Sequence, residues 1–177
     1  MKNMDLIEEC GLLGGCLMAV QKIEFILYGI ASHLSHLPEA KEKRFRQLTP
    51  EKFLRGDPSE LKATLGQIER VFGEKLHISS SELNEFIEQR NLIAHNYYRL
   101  TKIQIAGTKS LENPEEFLRK FLVQCTYWEN VLSGLLNLML VNAAKNENRE
   151  CKINLSELQK STMAAYYAHI EKRLTSR

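Results

Sequence analysis

Nine consecutive residues, Arg90-Asn91-Leu92-Ile93-Ala94-His95-Asn96-Tyr97-Tyr98, bring together a fixed cation, a carboxamide, an imidazole and two phenols. No other window of the chain is so dense in groups that can do chemistry. A guanidinium stays charged at any physiological pH, and its planar fork of donors suits phosphate. An imidazole gives or takes a proton near neutrality. Asn91 directly follows the arginine and precedes His95 by four residues, so its amide could hydrogen-bond the ring and fix the tautomer. Such a set suits phosphodiester cleavage without a metal. A base takes a proton from a ribose 2′-hydroxyl, a cation steadies the charge that develops on phosphorus, and an acid protonates the leaving oxygen. RNA carries that internal nucleophile and DNA does not.

A helix turns roughly 100° per residue and so sets how these groups stand to one another. Arg90 and Tyr97, seven apart, share a face, and Asn91 and His95 are neighbours on the next one. Arg90 and His95 differ by roughly 140° and about 7.5 Å of rise, so both can border one groove without touching. A second helix, or a second subunit, has to supply the opposite wall.

The element that carries the stretch begins at Ser79-Ser80-Ser81-Glu82, a capping sequence. Leu83, Phe86, Ile87, Arg90, Ala94 and Tyr97 fall on one side of it. Arg90 therefore projects from an otherwise apolar stripe. Burying it unpaired is costly, so the stripe either lines a wet cleft or offers a carboxylate, for which Glu24 is the candidate.

Other constellations are weaker. Arg70 and His77 have six residues between them, but Val71 follows the arginine and Gly73 ends that helix. His33 and His36 lack a nearby carboxylate or cysteine to complete a metal site, and a helix C-terminus favours histidine in any case. Cys10, Cys16, Cys125 and Cys151 show neither metal-site nor redox spacing and read as reduced thiols. Neither a metal nor another cofactor is expected. Lys43, Arg44 and Arg46 in a basic connector, with Arg99 and Lys102 beside the motif, are the candidate phosphate contacts.

Around the motif the chain reads as helices. Apolar groups recur from about Asp5 to Leu34, where Gly11, Gly14 and Gly15 suggest a close helix contact. Short helices are expected after Thr49-Pro50 and Asp57-Pro58, the latter closed by Gly73. Residues 101–113 read as a loop. Asn113-Pro114-Glu115-Glu116 opens a long helix to about Lys145, with Phe117, Phe121, Trp128, Leu132, Leu135 and Met139 as its spine and Val131 to Val141 as a buried core. Asn154-Leu155-Ser156-Glu157 caps a last helix with Leu155, Leu158, Thr162, Tyr166, Ile170 and Leu174 on one stripe.

The Arg-Asn-x-x-x-His core at Arg90, Asn91 and His95 resembles the signature of the HEPN superfamily, small all-α domains of which many are metal-independent ribonucleases. The fuller Arg-x4-His-x-Tyr form, carried by Arg90, His95 and Tyr97, is similar to HepT-type toxins, which pair with minimal nucleotidyltransferase antitoxins. The resemblance implies a homodimer whose two motifs face a shared cleft. It also implies that Tyr97 can be a target for AMP transfer by the antitoxin. The motif spans nine residues, and the helix order extends the likeness over most of the chain.

The resulting expectation is an all-α antiparallel bundle of four to five main helices, HEPN-like, in one domain over residues 1–177. Its core is expected over about residues 5–145, with a C-terminal helix at about 155–174. The expected function is a metal-independent endoribonuclease, a toxin or phage-defence effector. Arg90 and His95 are catalytic, and Asn91 and Tyr97 are supporting. The alternative is a non-catalytic HEPN-like module that holds a nucleotide, RNA or protein partner. The 24 Lys plus Arg against 22 Asp plus Glu exclude the strong basic field of a tight non-specific nucleic-acid binder, so RNA contact has to be local. The N-terminus shows no signal peptide, Val131 to Val141 is too short to span a bilayer, and a cytoplasmic location is expected.

Overall fold

The structure is a computed structural model that describes residues 5–35, 70–78, 81–102, 111–147 and 154–175. Five helices are named here: α1 (Leu6–Leu34), α2 (Ser81–His95), α3 (Tyr97–Lys102), α4 (Pro114–Asn146) and α5 (Glu157–Thr175). The fold is an all-α helical bundle, with no strand among the described residues. The expected helix starts at Thr49-Pro50 and Asp57-Pro58 lie outside the described residues, as do Lys43, Arg44 and Arg46.

Local chemistry accounts for where the helices begin. Asp5 precedes α1, and its Oδ1 accepts from the Ile7 amide at 3.2 Å. Asn113 caps α4 as its sequence suggests. Its Oδ1 accepts from the Glu116 amide at 3.2 Å, its Nδ2 donates to Glu116 Oε2 at 3.0 Å, and Pro114 stands at the first helical position. For α5 the reciprocal pair is displaced by two residues from the sequence expectation. Ser156 is the cap, its Oγ accepting from the Gln159 amide at 3.2 Å while Gln159 Oε1 accepts from the Ser156 amide at 3.0 Å.

By contacts the chain forms two compact units. One comprises residues 1–22 and 80–127, and the other residues 23–79 and 128–177. In the first unit, Leu83, Phe86, Leu118 and Phe121 are fully buried, and the Phe86 and Phe121 rings stack with centroids 5.0 Å apart. Gly11 and Gly14 face open space and Gly15 meets only Leu122 at 3.9 Å, so these glycines make no close helix contact.

The close approach is in the second unit, at Gly134. A Cβ there would collide with the carbonyl of Thr162, so only glycine lets α5 lie against α4. That approach also decides which face of α5 is buried. Thr162 and Tyr166 of the expected stripe are inside, joined by His169, whereas its Leu158 is 72% and its Leu174 61% exposed. Each of these three side chains has a partner. Asn137 Nδ2 donates to Thr162 Oγ1 at 3.1 Å, and Tyr166 Oη donates to the Leu76 carbonyl at 2.8 Å. His169 Nε2 lies 3.1 Å from the His77 carbonyl, and its ring meets Trp128 edge-on at 5.4 Å. Residues 70–72 are helical, and the turn from Gly73 puts His77 at φ 54°, in the left-handed region. Trp128 is core, as expected.

Along α4 the buried row is Leu118, Phe121, Cys125, Trp128, Val131, Leu132 and Leu135. Phe117 and Met139 are only half-buried and Leu140 is exposed, so the apolar run past Leu135 lies less deeply than expected. By length and composition alone α1 is long and apolar enough to cross a membrane. Within the fold it buries Cys16, Val20, Ile23, Leu27, Ile30, Ala31 and Leu34.

Candidate functional site

The helix that carries the motif does not run straight through it. α2 stops at His95, Asn96 forms a turn, and α3 restarts at Tyr97. The ladder persists across the break, with Asn96 N bonded to the Leu92 carbonyl at 2.8 Å and Leu100 N to the Asn96 carbonyl at 3.0 Å. The residues on either side therefore keep near-helical register. Leu83, Phe86, Ile93 and Tyr97 form the buried row, at intervals of three, seven and four residues. Arg90 falls in line between Phe86 and Ile93 and is half-buried, with its Nε inside the protein. Ala94, expected on the same stripe, is exposed, because the row follows Ile93 and Tyr97 instead.

Asn91 turns toward the arginine. Arg90 Nη1 donates to Asn91 Oδ1 at 2.9 Å, so the carboxamide steadies the guanidinium rather than the imidazole. His95 is exposed and stands at the edge of a groove of about 430 Å³ inside the first unit. Leu6, Leu13 and Leu17 of α1 form one wall, and Ile93 and Ala94 of α2 form the other. His95, Tyr97, Tyr98, Thr101 and Lys102 bring the polar groups from the motif side. Arg90 and Asn91 do not line this groove, so the shared border expected for Arg90 and His95 is not found there. The angle on the helix allows either outcome; α1, the opposite wall, lies on the Ile93–Tyr97 side and leaves Arg90 outside.

Tyr97 is where the motif meets the rest of the unit. Only 5% exposed, it donates its Oη to Glu9 Oε1 at 2.9 Å. Lys102 Nζ pairs with Glu9 Oε2 at 2.6 Å, so one buried carboxylate takes both the first and the last side chain of α3. Burial first, and then the hydrogen bond to Glu9 and its negative charge, push the Tyr97 phenol well above its usual value. The Tyr97 oxygen is therefore occupied by its bond to Glu9. The adjacent Tyr98 phenol is 69% exposed.

Of the expected phosphate contacts, Arg99 is exposed and Lys102 is committed to Glu9. Glu24 falls in the other contact unit. Glu9 itself was not legible as a site residue, because its partners lie 88 and 93 residues away. Its only sequence signal is a pair of acids, Glu8 and Glu9, in the first turn of α1, which also reads as ordinary dipole compensation. Among the described residues no group of three or more His, Cys, Asp or Glu could hold a metal ion.

Neither protein-family models, nor curated proteins, nor solved structures match the chain. The reading of the site therefore rests on its own residues.

Proposed function

We propose that the chain is a HEPN-type, metal-independent endoribonuclease that acts in the cytoplasm as a toxin or defence effector. What supports this most is the motif itself: His95 is an exposed imidazole lining a groove, and five residues earlier Arg90, outside that groove, is steadied by Asn91. In this reading His95 moves the proton, as base for the 2′-hydroxyl or as acid for the leaving 5′-oxygen. Arg90 stabilises the pentacoordinate phosphorane. Each chain offers one motif histidine, so acid and base come from the two chains of a homodimer whose motifs face one another. The products carry a 2′,3′-cyclic phosphate and a 5′-hydroxyl. A nucleotidyltransferase-type antitoxin that modifies Tyr97 belongs to the same proposal.

The purified protein should cut RNA in EDTA. His95→Ala should lose at least about two orders of magnitude in rate, because proton transfer by a positioned group contributes roughly 10²–10⁴-fold. A strand with a 2′-deoxy substitution at the cleaved position should stay intact. Cleavage by His95→Ala at the wild-type rate refutes the mechanism.

One observation favours a second reading. The groove is walled mainly by leucine, isoleucine and alanine, and Arg90 does not line it. A non-catalytic HEPN-like module would use such a surface to hold a partner without turnover. Wild-type protein that binds RNA or a protein but cuts nothing would select it.

A further inference from the structure

The short helix α3 is six residues long, too short to be stable by itself in water. It is nevertheless fixed at both ends by one side chain from the start of the protein. Glu9 is 5% exposed; it accepts from Tyr97 Oη at 2.9 Å and from Lys102 Nζ at 2.6 Å. A carboxylate buried this deeply is tolerated only when donors satisfy it, and here a phenol and an ammonium do so. Thr101 Oγ1, bonded to the Tyr97 carbonyl at 2.9 Å, ties the helix internally. Tyr97 in turn follows His95 by two residues, across the turn at Asn96. Glu9, Tyr97, Lys102 and His95 all line the same groove.

We propose that Glu9 is the positioning residue of this site: by clamping Tyr97 and Lys102 onto α1 it fixes where α2 ends and holds the His95 imidazole at the groove edge. The proposal rests on the reading of His95 as the proton carrier. Its mechanical content concerns only the chain's own geometry. With the clamp in place, the turn at Asn96 has one conformation and the imidazole one position. Without it, α3 is released from α1, the Tyr97 hydroxyl loses its acceptor, and His95 samples positions in which its nitrogens no longer meet the reacting oxygen. Small displacements of this kind reach the rate, since a shift of about 1 Å can cost up to about a hundredfold. Lys102 neutralises the carboxylate and shares its load, so Tyr97 carries the link to the histidine.

Two readouts on the full chain test this. The first is the NMR resonance of the His95 imidazole, read in wild type, Glu9→Ala, Glu9→Gln and Tyr97→Phe, with His77 and His169 of the other unit as internal controls. Glu9→Ala and Tyr97→Phe should move the His95 signal and leave the two controls in place. Glu9→Gln keeps an acceptor for Tyr97 and should return the His95 signal part of the way. The second is steady-state RNA cleavage, where Glu9→Ala should lower kcat about tenfold with KM held within about twofold, since positioning acts on the chemical step. Adding Tyr97→Phe to Glu9→Ala should cost little more, because both variants break one link. An unmoved His95 resonance in Glu9→Ala, or losses that simply multiply, would overturn the proposal. Should Glu9→Ala not fold, Glu9→Gln and Tyr97→Phe carry both readouts. If wild type cuts no RNA, the nuclease reading fails, and the resonance still decides the role of Glu9.

Discussion

Replacing Gly134 by alanine tests the packing of α4 on α5 at its tightest point. A methyl group built there falls inside contact distance of the Thr162 carbonyl oxygen, 2.6 Å from its carbonyl carbon and 3.0 Å from Tyr166 Cβ. The obstacle is backbone rather than the end of a flexible side chain, so α5 itself has to move. That movement pulls on the Asn137–Thr162 and Tyr166–Leu76 hydrogen bonds together. Overpacking of this kind costs roughly 1–3 kcal/mol, and a backbone clash belongs at the upper end. Alanine recovers about 1 kcal/mol through its better helix propensity. The net expectation is a loss of about 2 kcal/mol, or roughly 4–8 °C in Tm for a chain of this size. Gly14→Ala is the control. It faces open space, so propensity acts alone and Tm should rise by about 2–4 °C. Thermal unfolding followed by circular dichroism reads both. A Gly134→Ala protein as stable as wild type would refute the claim that α5 is seated by that glycine.

Two further outcomes follow from the capping and burial of single side chains. Ser156→Ala should cost about 1 kcal/mol through loss of the α5 cap, while Asn154→Ala should stay within about 0.5 kcal/mol; the reverse order in urea midpoints would restore the earlier capping residue. The phenols of Tyr97 and Tyr166 are both raised, chiefly by burial, from an ordinary value of 10.0. Below that value both the folded and the unfolded phenols are protonated and the groups have no effect on pH dependence. Above it the unfolded phenol ionises while the folded one keeps its proton, so stability falls as pH rises, by up to about 1.4 kcal/mol per pH unit for each group. Tyr97→Phe should make the alkaline decline in urea midpoint shallower, and an unchanged slope would show that the Glu9-bound phenol is not held protonated.

What could be read early and what could not divides by the range of the interactions involved. The helical class is written in spacing, since apolar groups at three- and four-residue intervals recur through α1, α2 and α4. The start of α4 is equally local, because Asn113 and Glu116 satisfy each other within one turn. The helical placement of Arg90, Asn91 and His95 is legible for the same reason: their positions on α2 follow from the turn per residue.

Spacing says which residues share a face but not which face is covered, and that depends on the neighbour. On α5 the row Thr162, Tyr166 and His169 is buried in preference to Leu158 and Leu174 because Gly134 admits the α5 backbone there and each of the three side chains finds a hydrogen-bond partner. Gly11 and Gly14 look like packing glycines in the sequence and face open space in the fold. Whether His95 shares a groove with Arg90 was likewise beyond the helical wheel. The wheel gives the angle between them, but the groove's far wall is α1, which puts His95 and Tyr97 on its edge and leaves Arg90 outside. The bond from Tyr97 to Glu9 closes over 88 residues, and a contact so distant leaves no periodic trace. The amino-acid order determined the helices and the chemistry they carry. Packing alone decided which groups meet, because burial and hydrogen-bond satisfaction are properties of pairs of elements and not of any single stretch of chain.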